Sequence, residues 1–220
     1  MEYKRLTVLC GHYGTGKTNV VVNMALDLKK QCEKVAVADL DIVNPYFRTK
    51  DSEEEFAKVG VELICSRYAN SNLDIPALPE NLYRITEDKD TKMILDIGGD
   101  DSGAIVLGRL APAILSENDY EMLTVINKYR PLTPDVMSTV EVLREIEAAS
   151  KITFTGIVNN SNLGEETTPE DVLASLQYAE DVAAAMGIPV VMTTVKESLY
   201  EKLAGKIPNL FPLRLQKKIL

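Results

Sequence analysis

The sequence predicts an α/β protein, a doubly wound, mostly parallel sheet flanked by helices. Three observations carry that expectation. Apolar runs of strand length alternate with segments of helical periodicity along the chain. A glycine-rich octapeptide, Gly11-His12-Tyr13-Gly14-Thr15-Gly16-Lys17-Thr18, joins the first such run to the first such helix. Asp39 and Asp41, Asp96, Asn127 and Asn159 all stand at the ends of apolar runs, and in a parallel sheet ligands bind at the carboxyl ends of strands.

Residues 6–10 form a short apolar run fit for a buried strand, and Val20, Val21, Met24, Ala25 and Leu28 then recur at helical spacing. Further strands are expected at 34–38, 61–65, 92–95, 120–126, 152–158 and 189–193. The acids of Asp51-Ser52-Glu53-Glu54-Glu55 suit the first turn of a short helix. Residues 67–91 are polar and broken by prolines, with a helix expected near 78–86. The next helix should cover 103–115, interrupted or started at Pro112. Thr133-Pro134-Asp135 opens a helix to about Ala149. Thr168-Pro169-Glu170-Asp171 offers a capping hydroxyl, a proline at N1 and an acid at N3 for a helix ending at Met186. A last helix is expected near 197–204.

The octapeptide satisfies G-x-x-x-x-G-K-[ST] at every specified position, the pattern of a phosphate-binding P-loop. Glycines let a backbone approach a phosphate closely. The loop's N–H groups and the start of the following helix then make a concave anion site. Gly11, His12, Tyr13, Gly14, Thr15, Gly16, Lys17 and Thr18 are therefore the candidate nucleotide cradle, with Lys17 reaching the β/γ-phosphates and the Thr18 hydroxyl reaching Mg²⁺. Asp96, after an apolar strand, is placed as a Walker B carboxylate for that Mg²⁺. Gly98 and Gly99 beside it permit a backbone swing toward a γ-phosphate. Asp39 and Asp41 lie two apart, so both face a ligand only if the strand ends between them. On that reading one holds Mg²⁺ with Thr18 and Asp96, and the other orients the attacking water.

At 220 residues the chain is long enough for one domain spanning 1–220 with a substantial core. No apolar run is long enough to span a bilayer, and the N-terminus leads straight into the first strand, so a cytoplasmic protein is expected. Cys10, Cys32 and Cys65 are scattered and set in apolar surroundings, as reduced core residues are. A net charge of −9 argues against a whole-surface grip on nucleic acid.

The P-loop near the N-terminus, Asp39-Leu40-Asp41-Ile42-Val43-Asn44-Pro45 and Asp96-Ile97-Gly98-Gly99 together resemble the ParA/MinD family of the SIMIBI group of P-loop NTPases, across about residues 4–195. The resemblance implies ATP-dependent switching, commonly through a nucleotide-dependent homodimer that sandwiches ATP. It makes Lys17 and Asp41 catalytic, with Asp41 positioning water, Asp96 the Walker B residue, and Asn159 or Asn160 the reader of the base. One position departs from the family: its loop carries a signature lysine directly after the first glycine, where this chain has His12. The contact that lysine makes across a dimer would fall to His12, as a weaker, pH-dependent contact, to Arg48, or to no residue.

The function expected is an Mg²⁺-dependent ATPase, slow when alone, cycling between ATP and ADP to dock and release a protein partner. Alternatives are metal or cofactor delivery, a small-molecule kinase or ligase of the dethiobiotin synthetase type, and a nucleotide-locked scaffold. Asn159 and Asn160 lack the N-K-x-D pattern of guanine readers, which favours ATP over GTP. The tail from Lys202 onward is basic, with Lys202, Lys206, Arg214, Lys217 and Lys218 interleaved with apolar residues. Pro208 and Pro212 leave too short a helix for a membrane-binding amphipathic segment, so the tail is expected to pack on the fold as a strand or extended segment rather than touch membrane.

Overall fold

The computed structural model describes residues 3–41, 52–65, 80–99 and 101–215. Expectations for Ile42, Val43, Asn44, Pro45 and Arg48, for the start of the 78–86 helix and for Lys217, Lys218, Ile219 and Leu220 lie outside the described residues.

Among the described residues a single parallel sheet of eight strands is flanked by helices on both faces. The strands are β1 (Leu6–Cys10), β2 (Val35–Leu40), β3 (Glu62–Cys65), β4 (Lys92–Ile97), β5 (Tyr120–Ile126), β6 (Gly156–Asn159), β7 (Val190–Lys196) and β8 (Leu210–Leu213). Their order is β3-β2-β4-β1-β5-β6-β7-β8, so the chain winds outward from β1 in both directions. Helices α1 (Lys17–Lys29) and α2 (Glu53–Val59) pack on one face through Val20, Val21, Met24, Leu28 and Phe56. Helices α3 (Glu80–Glu87), α4 (Asp101–Glu117), α5 (Val136–Ser150) and α6 (Pro169–Met186) cover the other, with Ile85, Leu107, Ile114, Leu143 and Val182 buried there. β1 and β2 are buried at every position, as strands covered on both faces must be.

The start of α6 follows the expected chemistry in full, and α5 opens at the expected segment. Asp135 caps α5 and Thr168 caps α6, each in a reciprocal capping box, with Pro169 opening α6. Elsewhere the structure corrects the pattern. α4 runs through Pro112 without interruption. A proline inside a helix costs about 3 kcal/mol, and the burial of Leu107, Leu110, Ala111 and Ile114 on either side of it offsets that cost. β6 begins at Gly156 rather than Ile152. Ile152 and Phe154 are buried and alternate like strand residues, but the Phe154 N–H donates to Glu147 Oε1 at 2.8 Å instead of joining a ladder. β2 and β7 run longer than expected, to Leu40 and Lys196. The last helix is a 3₁₀ turn (Glu197–Leu199) followed by α7 (Tyr200–Leu203).

The tail joins the sheet as β8, parallel to β7. Pro212 is tolerated because β8 is an edge strand. Asn23 of α1 fixes its end, accepting from the Arg214 N–H at 2.9 Å and donating to the Arg214 carbonyl at 3.0 Å.

Candidate nucleotide-binding site

The octapeptide bridges β1 and α1 at the carboxyl edge of the sheet. Gly16 is the N-cap of α1 at φ 86°, a left-handed conformation that favours glycine. A β-carbon there would also stand 2.5 Å from Asn160 Nδ2. That amide donates to the Thr15 carbonyl at 2.7 Å, so the end of β6 props the loop from behind. Thr15 braces the loop further, donating through its hydroxyl to the His12 carbonyl at 2.9 Å. Lys17 and Thr18 are buried, Tyr13 and Gly14 exposed, and His12 half-buried with Nδ1 3.2 Å from the Tyr13 carbonyl.

The acidic side of the site comes from β2 and β4. Their register places Asp39 beside Asp96 on adjacent strands. β2 ends at Leu40, between Asp39 and Asp41, the condition under which both carboxylates can face one ligand. The Asp41 N–H donates to Asp39 Oδ1 at 3.3 Å, and Asp41 Oδ2 lies 3.7 Å from Lys17 Nζ, both side chains buried. Asp39 and Asp96 are buried as well. A β-carbon on Gly99 would collide with the Gly11 carbonyl oxygen, so only glycine lets the end of β4 lie against the P-loop. Beside this contact the Cys10 thiol donates to the Gly98 carbonyl at 3.7 Å. Burial pushes the thiol up to about 12, with Lys17 opposing, which keeps it protonated and unreactive.

Asn159 and Asn160 are both buried and both engaged within the protein. Asn159 donates to Ser175 Oγ at 3.0 Å and accepts from the Ser161 hydroxyl at 2.7 Å. Asn160 accepts from the Thr194 hydroxyl in addition to holding Thr15. Sequence reading missed Arg130, in the connection after β5: nothing adjacent to it forms a motif, and only the fold carries it to Gly14, where a β-carbon would stand 3.9 Å from its Cδ and Nε.

Among the described residues no cluster of three or more His, Cys, Asp or Glu side chains could cage a metal ion. The donor set at the loop suits a different arrangement. Mg²⁺ is ordinarily held by one or two carboxylates together with substrate phosphates and water, and Thr18, Asp39 and Asp96 offer one hydroxyl and two carboxylates of that hard-oxygen type.

A parallel sheet with this strand order and a glycine loop at the head of α1 make a P-loop NTPase-like α/β fold. The chain belongs to the CobQ/CobB/MinD/ParA nucleotide-binding domain family, whose model matches residues 6–210. No curated protein sequence matches the chain. Among solved structures it is similar in fold to cell division protein FtsY from Thermotoga maritima, at 19% identity over 87% of this chain and 62% of that one, TM-score 0.56. Chloroplast FtsY from Physcomitrella patens gives 18% identity, 88% and 59% coverage and TM-score 0.58. The structure of FlhF complexed with GTP/Mg²⁺ gives 14% identity, 88% and 66% coverage and TM-score 0.52. The chain thus spans about three fifths of the length of the two FtsY structures. Among the described residues no helix is long and apolar enough to cross a membrane.

Proposed function

We propose that this chain binds ATP with Mg²⁺ and hydrolyses it slowly, acting as a nucleotide-dependent switch for a protein partner. The observation that carries the reading is the buried Lys17–Asp41 pair at 3.7 Å. A phosphate entering the loop competes with Asp41 for the Lys17 ammonium. Release of that carboxylate leaves it beside the phosphates, able to accept a proton from water and aim the oxygen. Lys17 and the loop N–H groups hold the β/γ-phosphates. Mg²⁺, when bound through Thr18, Asp39 and Asp96, supplies neutralisation of the phosphate charge. The contact between Gly99 and Gly11 gives β4 a way to sense whether the loop is filled.

ATP is favoured over GTP because residues 159–162 read Asn-Asn-Ser-Asn, without the N-K-x-D run of a guanine reader. Tyr13, Leu132, Met137 and Leu163 are exposed apolar residues in the P-loop and in the segments following β5 and β6. They support docking of a partner protein, or of a second copy of the chain, on the face that changes with nucleotide.

Calorimetry of wild type and Lys17→Ala with Mg²⁺-ATP tests the reading. The variant should bind at least about tenfold more weakly, or about 1.4 kcal/mol. Equal affinity would remove the P-loop assignment, and tighter binding of GTP in direct competition would reverse the choice of base.

A further inference from the structure

The P-loop octapeptide supplies one lysine, Lys17, for a polyphosphate. Lys17 is already shared with Asp41, and Asp39 and Asp96 add two buried carboxylates. A nucleoside triphosphate brings further negative charge into the same small volume, so a second cation from the protein would stabilise it.

Arg130 has the placement of such a cation. Its connection, between β5 and α5, is fixed on several sides. The Lys128 N–H donates to Ser161 Oγ at 3.0 Å and the Tyr129 N–H to Asn127 Oδ1 at 3.0 Å. The Tyr129 hydroxyl reaches the Asp171 carbonyl at 2.7 Å, and Lys128 Nζ reaches the Ala174 carbonyl at 2.9 Å, which commits the segment's other cation to α6. The Arg130 N–H closes the turn on the Asn127 carbonyl at 3.2 Å. Held this way, the half-buried Arg130 side chain passes over Gly14, with Cδ and Nε 3.9 Å from where a β-carbon on that residue would stand. Its Nε is buried and makes no hydrogen bond among the described residues. A buried donor without an acceptor is costly, and it is retained here on a rigid mount against the phosphate loop.

We propose that Arg130 is a nucleotide-binding residue that donates charge-assisted hydrogen bonds to the polyphosphate held by residues 11–18. Guanidinium suits this role because its planar set of N–H donors matches phosphate oxygens. The inference rests on the nucleotide-binding reading above.

Its test compares wild type, Arg130→Met and Arg130→Lys for binding of Mg²⁺-ATP, with inorganic tripolyphosphate as a competitor lacking base and ribose. Met preserves the apolar stem over Gly14 while removing every N–H, and thermal unfolding of each variant confirms that it is folded. Arg130→Met should weaken both ATP and tripolyphosphate by about tenfold, the loss expected for one charge-assisted contact, and Arg130→Lys should recover part of it. Unchanged ATP affinity in Arg130→Met would overturn the inference and leave the P-loop reading intact. Loss of ATP affinity without loss of tripolyphosphate affinity would also overturn it, by assigning Arg130 to the base. Failure of wild type itself to bind ATP would remove both readings.

Discussion

The two edges of the sheet treat buried charge in opposite ways. At the amino edge Arg5, just before β1, is buried with every nitrogen of its guanidinium hydrogen-bonded. Nε and Nη2 meet the two oxygens of Glu117, the latter at 2.6 Å, and Nη1 and Nη2 donate to the carbonyls of Asp88 at 2.8 Å and Ile85 at 3.0 Å. Lys89 adds a second contact to Glu117 at 2.6 Å. At the carboxyl edge Asp39, Asp41 and Asp96 are buried, with Asp41 beside Lys17, and Thr124 Oγ1 and Arg130 Nε are buried without hydrogen-bond partners among the described residues. One edge is closed on itself and contributes stability. The other is built from groups whose interactions a ligand would complete. Buried charge alone therefore does not mark the site; buried donors left without acceptors among the described residues, Thr124 Oγ1 and Arg130 Nε, do.

The largest expected effect of breaking that contrast is at the closed edge. Glu117→Gln should cost about 3–5 kcal/mol in urea or thermal unfolding, because Arg5 is left buried without a countercharge. ATP affinity, measured where the variant is folded, should not change. The pair also predicts a pH dependence. Hydrogen bonding from Arg5, assisted by Lys89, holds the Glu117 carboxyl below the usual glutamate range. Its stabilising contribution is complete above the unfolded-state value and is lost as pH falls through the lower native one. Wild type should lose stability across that acidic window, and Glu117→Gln should show a flatter profile. Parallel profiles would show that Glu117 is not the titrating group.

At the open edge the corresponding change affects the reaction. Asp41→Ala should lower ATP turnover by about 100-fold, the low end for loss of a group that handles a proton, while ATP affinity stays within a few-fold. Affinity and rate falling together would make Asp41 a binding residue instead.

Much of this contrast was visible along the chain, but not all of it. The P-loop and the strand-terminal acids are local patterns, legible because one strand, one turn and one helix start are enough to define them. So are the α5 and α6 caps, where residues three apart satisfy each other. The Arg5–Glu117 pair joins residues 112 positions apart, and Arg130 meets Gly14 across the β1–β5 connection; no periodicity encodes either. β6 starts later than its apolar pattern suggests because Ile152 and Phe154 imitate strand alternation while the Ile152 N–H donates to Ser150 Oγ and the Phe154 N–H to Glu147 Oε1. The resemblance names Asn159 or Asn160 as the reader of the base, and what the sequence could not show is that their side chains also brace the fold, through Ser175 and Ser161 for Asn159 and through Thr15 and Thr194 for Asn160.

The smallest effect concerns how firmly the open edge is mounted. Thr168 caps α6 by accepting from the Asp171 N–H at 3.2 Å, while the Asp171 carboxylate accepts from the Thr168 N–H at 2.8 Å. The first turns of α6 also present the Asp171 carbonyl to Tyr129, the Ala174 carbonyl to Lys128 and the Ser175 hydroxyl to Asn159. Loosening that end should therefore disturb the segments that carry Arg130 and Asn160. Thr168→Ala is expected to lose about 1 kcal/mol of stability, the usual value of a capping side chain. It should also weaken ATP binding by about twofold, at the low end of coupling through packed neighbours. Thr168→Ser, which keeps the hydroxyl, should restore both. An ATP affinity indifferent to Thr168→Ala would mean that the β5 and β6 connections keep their positions without α6, and that the open edge is mounted by the sheet alone.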